Sequence, residues 1–423
     1  WSNAVGGLIL AQLKALGWTD NSTTATFSAI TTAGMFLGAL VGGIIGDKTG
    51  RRNAFILYEA IHIASMVVGA FSPNMDFLIA CRFVMGVGLG ALLVTLFAGF
   101  TEYMPGRNRG TWSSRVSFIG NWSYPLCSLI AMGLTPLISA EWNWRVQLLI
   151  PAILSLIATA LAWRYFPESP RWLESRGRYQ EAEKVMRSIE EGVIRQTGKP
   201  LPPVVIADDG KAPQAVPYSA LLTGVLLRRV ILGSCVLIAM NVVQYTLINW
   251  LPTIFMTQGI NLKDSIVLNT MSMFGAPFGI FIAMLVMDKI PRKTMGVGLL
   301  ILIAVLGYIY SLQTSMLLIT LIGFFLITFV YMYVCYASAV YVPEIWPTEA
   351  KLRGSGLANA VGRISGIAAP YAVAVLLSSY GVTGVFILLG AVSIVVAIAI
   401  ATIGIETKGV SVESLSIDAV ANK

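Results

Sequence analysis

"GDKTGRR" (46–52) and "MDKIPRK" (287–293) are nearly the same charged string, set in a chain that is 56% hydrophobic and only 12% charged. The recurrence decides the fold, because two further landmarks follow in the same order at nearly the same offset. "TEYMPGRNRG" (101–110) returns as "PEIWPTEAKLRG" (343–354), and "PESPRW" (167–172) is echoed by "IETKGV" (405–410). Asp47 thereby pairs with Asp288, Glu102 with Glu344, and Glu168 with Glu406. The chain reads as two copies of one unit.

Between these landmarks lie apolar stretches of the length that crosses a hydrocarbon core of ~30 Å. They fall near 2–17, 24–46, 53–71, 77–102, 111–137, 145–166, 230–256, 265–287, 294–311, 316–342, 355–378 and 382–405. We number them spans 1 to 12. Span 1 starts abruptly at Trp1 and reads as clipped, with no signal-peptide pattern before it. A mean hydropathy of +0.75 excludes an ordinary soluble domain. The expectation is an all-α integral membrane protein of twelve transmembrane helices in two pseudo-symmetric halves, 1–166 and 230–405. A linker (167–229) joins them and a tail (406–423) follows.

Basic residues gather on one set of loops, including Lys48, Arg51, Arg52, Arg107, Arg109, Lys289, Arg292, Lys293, Lys351 and Arg353; the other set offers little beyond Lys263. The positive-inside rule places the basic set, the linker and both termini of the complete chain in the cytoplasm. That bias accounts for the net charge of +8 without a nucleic-acid footprint. Cys81, Cys127, Cys235 and Cys335 all fall within spans at spacings that fit neither a disulfide framework nor a metal site. No phosphate-binding G-x-x-x-x-G-K-[ST] loop exists to couple ATP hydrolysis. No cofactor is expected, and the chain does not read as an enzyme. The segment 169–195 carries Trp172, Leu173, Ala182, Val185, Met186 and Ile189 at helical spacing, an amphipathic stretch in the linker.

"GGIIGDKTGRR" resembles the loop motif between spans 2 and 3 of the major facilitator superfamily, and "RFVMGVGLG" (82–90) resembles that family's span 4 motif. "PESPRWLESRGRYQEA" and "ETKG" narrow the likeness to the branch of sugar porters and organic-ion transporters. The whole chain resembles metabolite transporters of the enteric inner membrane. The resemblance implies the major facilitator fold and a cytoplasmic gate. In it, Asp47 would sit opposite the start of span 11, and Glu102, Arg109, Glu168, Glu344, Arg353 and Glu406 would pair across the seam between the halves, with Arg51 and Asp288 beside them. The linker helices would brace that gate. Proton-coupled sugar porters place an aspartate in span 1 that answers the span 4 arginine. Here Ser2 stands in that place and Arg82 in the other, so coupling is either absent or moved to Glu59 and His62.

Polar groups within spans are costly and default to function. Arg363 lies nine residues into span 11, about 14 Å from its start and near the midplane. Asn359 lies one turn earlier on the same face. His62, the one histidine, lies at similar depth, with Glu59 on its helix face. Arg82 enters span 4 near the outer end, as an attractor of anions or as a tether between spans 1 and 4. Asn121, Asn241 and Gln244, with Trp122, Tyr124, Tyr245, Trp250, Tyr333 and Tyr336, complete the candidates for substrate contact. The paired glutamines of span 7 in sugar porters are replaced by Met240 and Asn241, and "ANAVGRISGIAAP" (358–370) resembles span 11 of organic-anion and nicotinate-type transporters. A planar guanidinium fork suits a carboxylate.

The expected function is therefore secondary active transport of a small organic anion, such as a sugar acid or other carboxylate, by alternating access with proton coupling, in a monomer of the bacterial inner membrane. The alternatives are a facilitator or symporter of a neutral sugar or polyol, and, further off, a channel or a transporter-like sensor. Expected partners are the substrate, protons and the lipid bilayer.

Overall fold

In hydrocarbon every backbone N–H and C=O must be satisfied within the chain, so apolar runs of this length fold as helices. The computed structural model describes residues 1–103, 109–198, 200–201, 217–347 and 350–408, without the side chains of 97, 98, 100–103, 109–114, 351 and 352. The first half contains α1 (Ala4–Ala15), α2 (Asn21–Thr49), α3 (Arg51–Ala70), α4 (Met75–Tyr103), α5 (Arg109–Asn121), α6 (Ser123–Leu134) and α7 (Ala140–Tyr165). The linker carries α8 (Pro170–Ser175), α9 (Tyr179–Thr197) and α10 (Tyr218–Leu221). The second half contains α11 (Gly224–Thr257), α12 (Leu262–Met273), α13 (Gly275–Val286), α14 (Arg292–Ser311), α15 (Met316–Cys335), α16 (Val342–Glu344) and α17 (Lys351–Ile403).

These elements make up the twelve expected spans, but five are not simple rods. Span 5 is split into α5 and α6, because Pro125 offers no N–H to the carbonyl of Asn121. Span 8 is split into α12 and α13, where Pro277 likewise leaves Met273 unbonded. Span 10 unwinds into a π-helical turn, Tyr336–Tyr341, before α16. Spans 11 and 12 run together as α17, bent at Gly381, whose φ of 64° and ψ of −158° suit a residue without a Cβ.

Helix packing within the first half depends on glycine. A Cβ on Gly38 of α2 would stand 2.0 Å from the carbonyl of Val87, and one on Gly90 of α4 would stand 2.0 Å from that of Met35. Small residues one turn apart let the backbones of α2 and α4 touch, the usual means of association where no hydrophobic effect acts. The halves meet through α1 on α11, α2 on α17, α5 on α13 and α6 on α12. Hydrogen bonds cross this seam from Asn21 Nδ2 to Ser378 Oγ at 2.9 Å and from Asn269 Nδ2 to Ser128 Oγ at 3.0 Å. In the linker, Trp172, Leu173 and Ala182 pack together with Val185, as the amphipathic pattern requires, while Met186 is exposed. Trp172 Nε1 and Arg176 Nη2 donate to the carbonyl of Asp47 at 2.8 and 2.7 Å, which fixes the linker to the free carbonyl end of α2.

Candidate functional site: a cavity between the two halves

At the basic-loop end, the two copies of the charged string build the same device twice. Asp47 Oδ1 pairs with Arg51 at 2.8 Å, and Asp288 Oδ1 with Arg292 at 3.1 Å. The Glu168 carboxylate accepts the backbone N–H of Arg51 at 2.7 Å and that of Arg52 at 3.3 Å, capping α3. Glu406 accepts the N–H of Arg292 at 2.8 Å and that of Lys293 at 3.1 Å, capping α14. Burial alone would raise the Glu406 carboxyl. The N–H groups of Arg292, Lys293 and Lys408 and the Arg292 charge outweigh it, and the group sits below the ordinary carboxylate value. Arg292 also reaches Glu344 through Nε at 3.1 Å, and Thr407 donates to Glu344 at 2.6 Å.

This differs from the expected pairing across the seam. Glu168 and Glu406 instead cap helices of their own halves, because a helix N-terminus with unpaired N–H groups is the nearest strong anion site, and Glu344 meets Arg292 and Thr407. Asp47 points to solvent with its side chain 72% exposed rather than to the start of span 11, and Asp288 is 90% exposed. Arg353 lies over the Tyr218 ring at 5.2 Å. The side chains of Glu102 and Arg109 lie outside the described residues. Arg292, absent from the expected gate set, is the hub of the second cluster. The signal was present, since the offset that pairs Asp47 with Asp288 also pairs Arg51 with Arg292.

Deeper in, a cavity of about 520 Å³ opens between residues 1–3 ahead of α1 and helices α2, α3, α4, α6, α7 and α11. Its polar lining includes Ser2, Asn3, Glu59, His62, Tyr124, Ser155, Gln244 and Tyr245, and Met35, Leu89, Leu93, Pro151 and Leu154 are among its apolar walls. His62 Nδ1 lies 3.3 Å from Glu59 Oε2, and its Nε2 lies 2.9 Å from Ser2 Oγ. Arg82 is buried beneath α1 rather than held at an open mouth: Nη1 donates to the Ser2 carbonyl at 3.2 Å, and the guanidinium lies 4.6 Å from the centre of the Phe27 ring. That is the geometry of a tether, present because α1 closes over it. The structure thus gathers Ser2, Glu59, His62 and Arg82 into one chain of contacts.

The other candidates divide. Tyr124 packs edge to face on Tyr331 at 5.3 Å and lines the cavity with Gln244 and Tyr245. Arg363 is half-buried, and its Nη1 is buried without a hydrogen-bond partner. It stands between Gly362, which packs on Leu237 and Asn241, and Gly366, which packs on Tyr245 and Thr32. Its turn of α17 therefore lies between α11 and α2. Asn359 is exposed one turn earlier and donates to the Ser355 carbonyl at 2.9 Å. Asn241 is buried and turned back to the Leu237 carbonyl at 2.8 Å.

Five further candidates lie away from the cavity. Asn121 donates to the Ser117 carbonyl at 2.7 Å, and Trp122 is 40% exposed against Phe118 and Phe274. Tyr333 donates to the Val236 carbonyl at 3.1 Å, and Tyr336 stacks on Tyr341 at 5.0 Å. These two, with the fully buried Trp250, belong to the core of the second half. Their spacing suited ligands and packing equally, and helix rotation decided for packing. Asn3 and Ser155 line the cavity and were not anticipated. Asn3 adjoins Ser2 in sequence, whereas nothing in the order of residues marked Ser155.

Comparison with known proteins agrees with this architecture. The model of the family described as sugar (and other) transporters matches residues 8–419. The inner membrane metabolite transport protein YdjE of Escherichia coli is 44% identical over 97% of this chain and 90% of its own. The niacin transporter NiaP of Acinetobacter baylyi is 27% identical, covering 91% and 85%. The partially occluded inward open structure of the xylose transporter XylE from E. coli superposes with a TM-score of 0.76 at 18% identity, covering 97% and 96%. The chain therefore belongs to the sugar (and other) transporter family of the major facilitator superfamily, a multi-pass membrane transporter and not an enzyme.

Proposed function

We propose that this transporter carries a small organic anion, such as a sugar acid or another carboxylate, across the bacterial inner membrane by alternating access, in symport with protons and as a monomer. The observation that carries the reading is the buried, unpartnered Nη1 of Arg363 on the turn of α17 between α11 and α2. A guanidinium keeps its charge at any accessible pH, and its planar fork matches a carboxylate. An uncompensated charge near the midplane costs at least ~2.5 kcal/mol even on the lenient insertion scale, so a site that meets an anion there gains what the empty site lacks. Niacin, named for the relative NiaP, is itself a carboxylate. Positive-inside bias sets the basic loops, and both termini of the complete chain, in the cytoplasm. With that orientation, contact of α1 with α11 at the outer side, and the exposed Asp47 and Asp288 at the inner side, fit an inward-facing conformation.

A thermal-shift series on the purified protein tests the substrate class. Nicotinate and gluconate represent aromatic and hydroxylated carboxylates; nicotinamide and xylose are their neutral counterparts. Stabilisation by a carboxylate and not by its neutral counterpart is expected. Stabilisation by xylose alone would replace the anion reading with a neutral-sugar porter.

A further inference from the structure

We infer that Glu59 and His62 together form the proton-binding site of this transporter, and that Ser2 passes their charge to Arg82 and so to the contact between α1 and α11. The inference deepens the proton-coupled reading above and rests on it for the role in transport. Its geometry is independent of the substrate.

An ionised carboxylate only accepts hydrogen bonds, so the Glu59–His62 contact at 3.3 Å puts the imidazole proton on Nδ1. Nε2 is then an acceptor, and the Ser2 hydroxyl 2.9 Å away must donate to it. Proton uptake forms one new bond, N–H on His62 or O–H on Glu59, and breaks none in the protein. The pair changes from a net charge of −1 to neutral in either case. With the proton on Nε2, the ring donates on both sides and the Ser2 hydroxyl has to turn. Met66 Sδ, 3.5 Å from Ser2 Oγ, can receive its hydrogen. Gly88 lets α4 press on the backbone of α3 here, since a Cβ there would stand 3.1 Å from the Tyr58 carbonyl and 3.2 Å from the backbone nitrogen of His62.

The neighbouring elements leave the pair few other charges to answer. Among the described residues lining the cavity, Glu59 is the one acid. Arg82 of α4 is the cation reached through Ser2, whose carbonyl it holds at 3.2 Å. Tyr58 beside the pair donates to the Gly42 carbonyl, and Tyr124 and Tyr245 line the cavity. Arg82 also sits under the closed contact. Its Nη2 lies 2.6 Å from where a Cβ on Gly6 would be, and Asn249 Oδ1 of α11 lies 3.7 Å from the same point. Gly7 lies against the Ile248 carbonyl, 2.4 Å from its own would-be Cβ.

The sign follows from charge. A proton on the pair removes the negative charge that offsets Arg82 across Ser2, so the α1–α11 contact loosens. Loss of the proton restores the closed arrangement seen here. An anion entering the loaded cavity replaces the missing negative charge and lets the contact close again. Proton first, anion second and closure third is the order of a symporter, produced by one pair of side chains.

The test reads closure of the outer side, across α2 and α17, without substrate. Spin labels on Ser22→Cys and Tyr380→Cys, in a background lacking the four native cysteines, report the outer separation by pulsed dipolar spectroscopy from pH 5 to 8.5. The closed population is expected to fall as pH falls, by at most about tenfold per pH unit, the limit for one proton. Glu59→Gln combined with His62→Gln should flatten this response. Ser2→Ala, which leaves both titrating groups in place, should weaken it severalfold. A pH response that survives in this double variant, or none in the parent, overturns the inference. Adding nicotinate or gluconate at pH 5 separates the two readings: a pH response that neither compound reverses keeps the relay and removes the anion.

Discussion

Replacing Arg363 tests the binding site and the cost of the empty one together. A substrate carboxylate that meets Nη1 supplies a charge-assisted hydrogen bond to a donor that has none. Bonds of that kind contribute about 1.5–3 kcal/mol, or roughly 10- to 150-fold in affinity at 1.4 kcal/mol per decade. Arg363 is half-buried rather than enclosed, so the middle of that range applies. Arg363→Ala should weaken carboxylate binding by about 50-fold. Arg363→Lys, which keeps the charge and loses the fork, should weaken it by about tenfold. The same change has the opposite effect on the empty protein. A buried unsatisfied donor costs about 1–3 kcal/mol, so Arg363→Ala should raise the apparent melting temperature in the absence of ligand. Calorimetric titration with nicotinate and gluconate, beside unliganded melting curves, measures both quantities. Undiminished carboxylate binding in Arg363→Ala would refute the assignment. Lower thermal stability of the empty variant would show that Arg363 is a structural residue whose partner is supplied by the protein.

Two further outcomes follow from the helix caps. A Cβ on Gly50 would stand 2.2 Å from Glu168 Oε2, at a φ of 96°, so Gly50→Ala should cost on the order of 1–3 kcal/mol. The loss should be less than additive with Glu168→Ala, whereas Pro291→Ala, at the equivalent place in the second half with φ of −55°, should be nearly neutral in the same melting assay. Glu406 is held below its ordinary value, so its cap is fully present above the unfolded carboxylate value of about 4.3 and is lost as pH falls through the lower folded value. Hydrogen exchange at the amides of Arg292 and Lys293, corrected for intrinsic rates, should rise in Glu406→Gln at pH 7, and in the parent only at more acid pH.

The order of residues was enough for the membrane spans and for the duplication, because hydrocarbon thickness dictates segment length and charges survive only at the ends. It was enough, too, to bring Ser2, Glu59, His62 and Arg82 forward as a group. It could not tell Tyr336, stacked in the core, from Tyr124, which faces the cavity, since both sit in apolar helices and only the rotation of each helix against its neighbours separates them. Nor could it say where Glu168 and Glu406 find partners. Matched acids and bases in two halves suggest pairing between the halves, but the free N–H groups that bind these carboxylates belong to helix ends within the same half. Those ends are brought to the acids by chain folding across 117 and 114 residues, a proximity that only the packed structure creates.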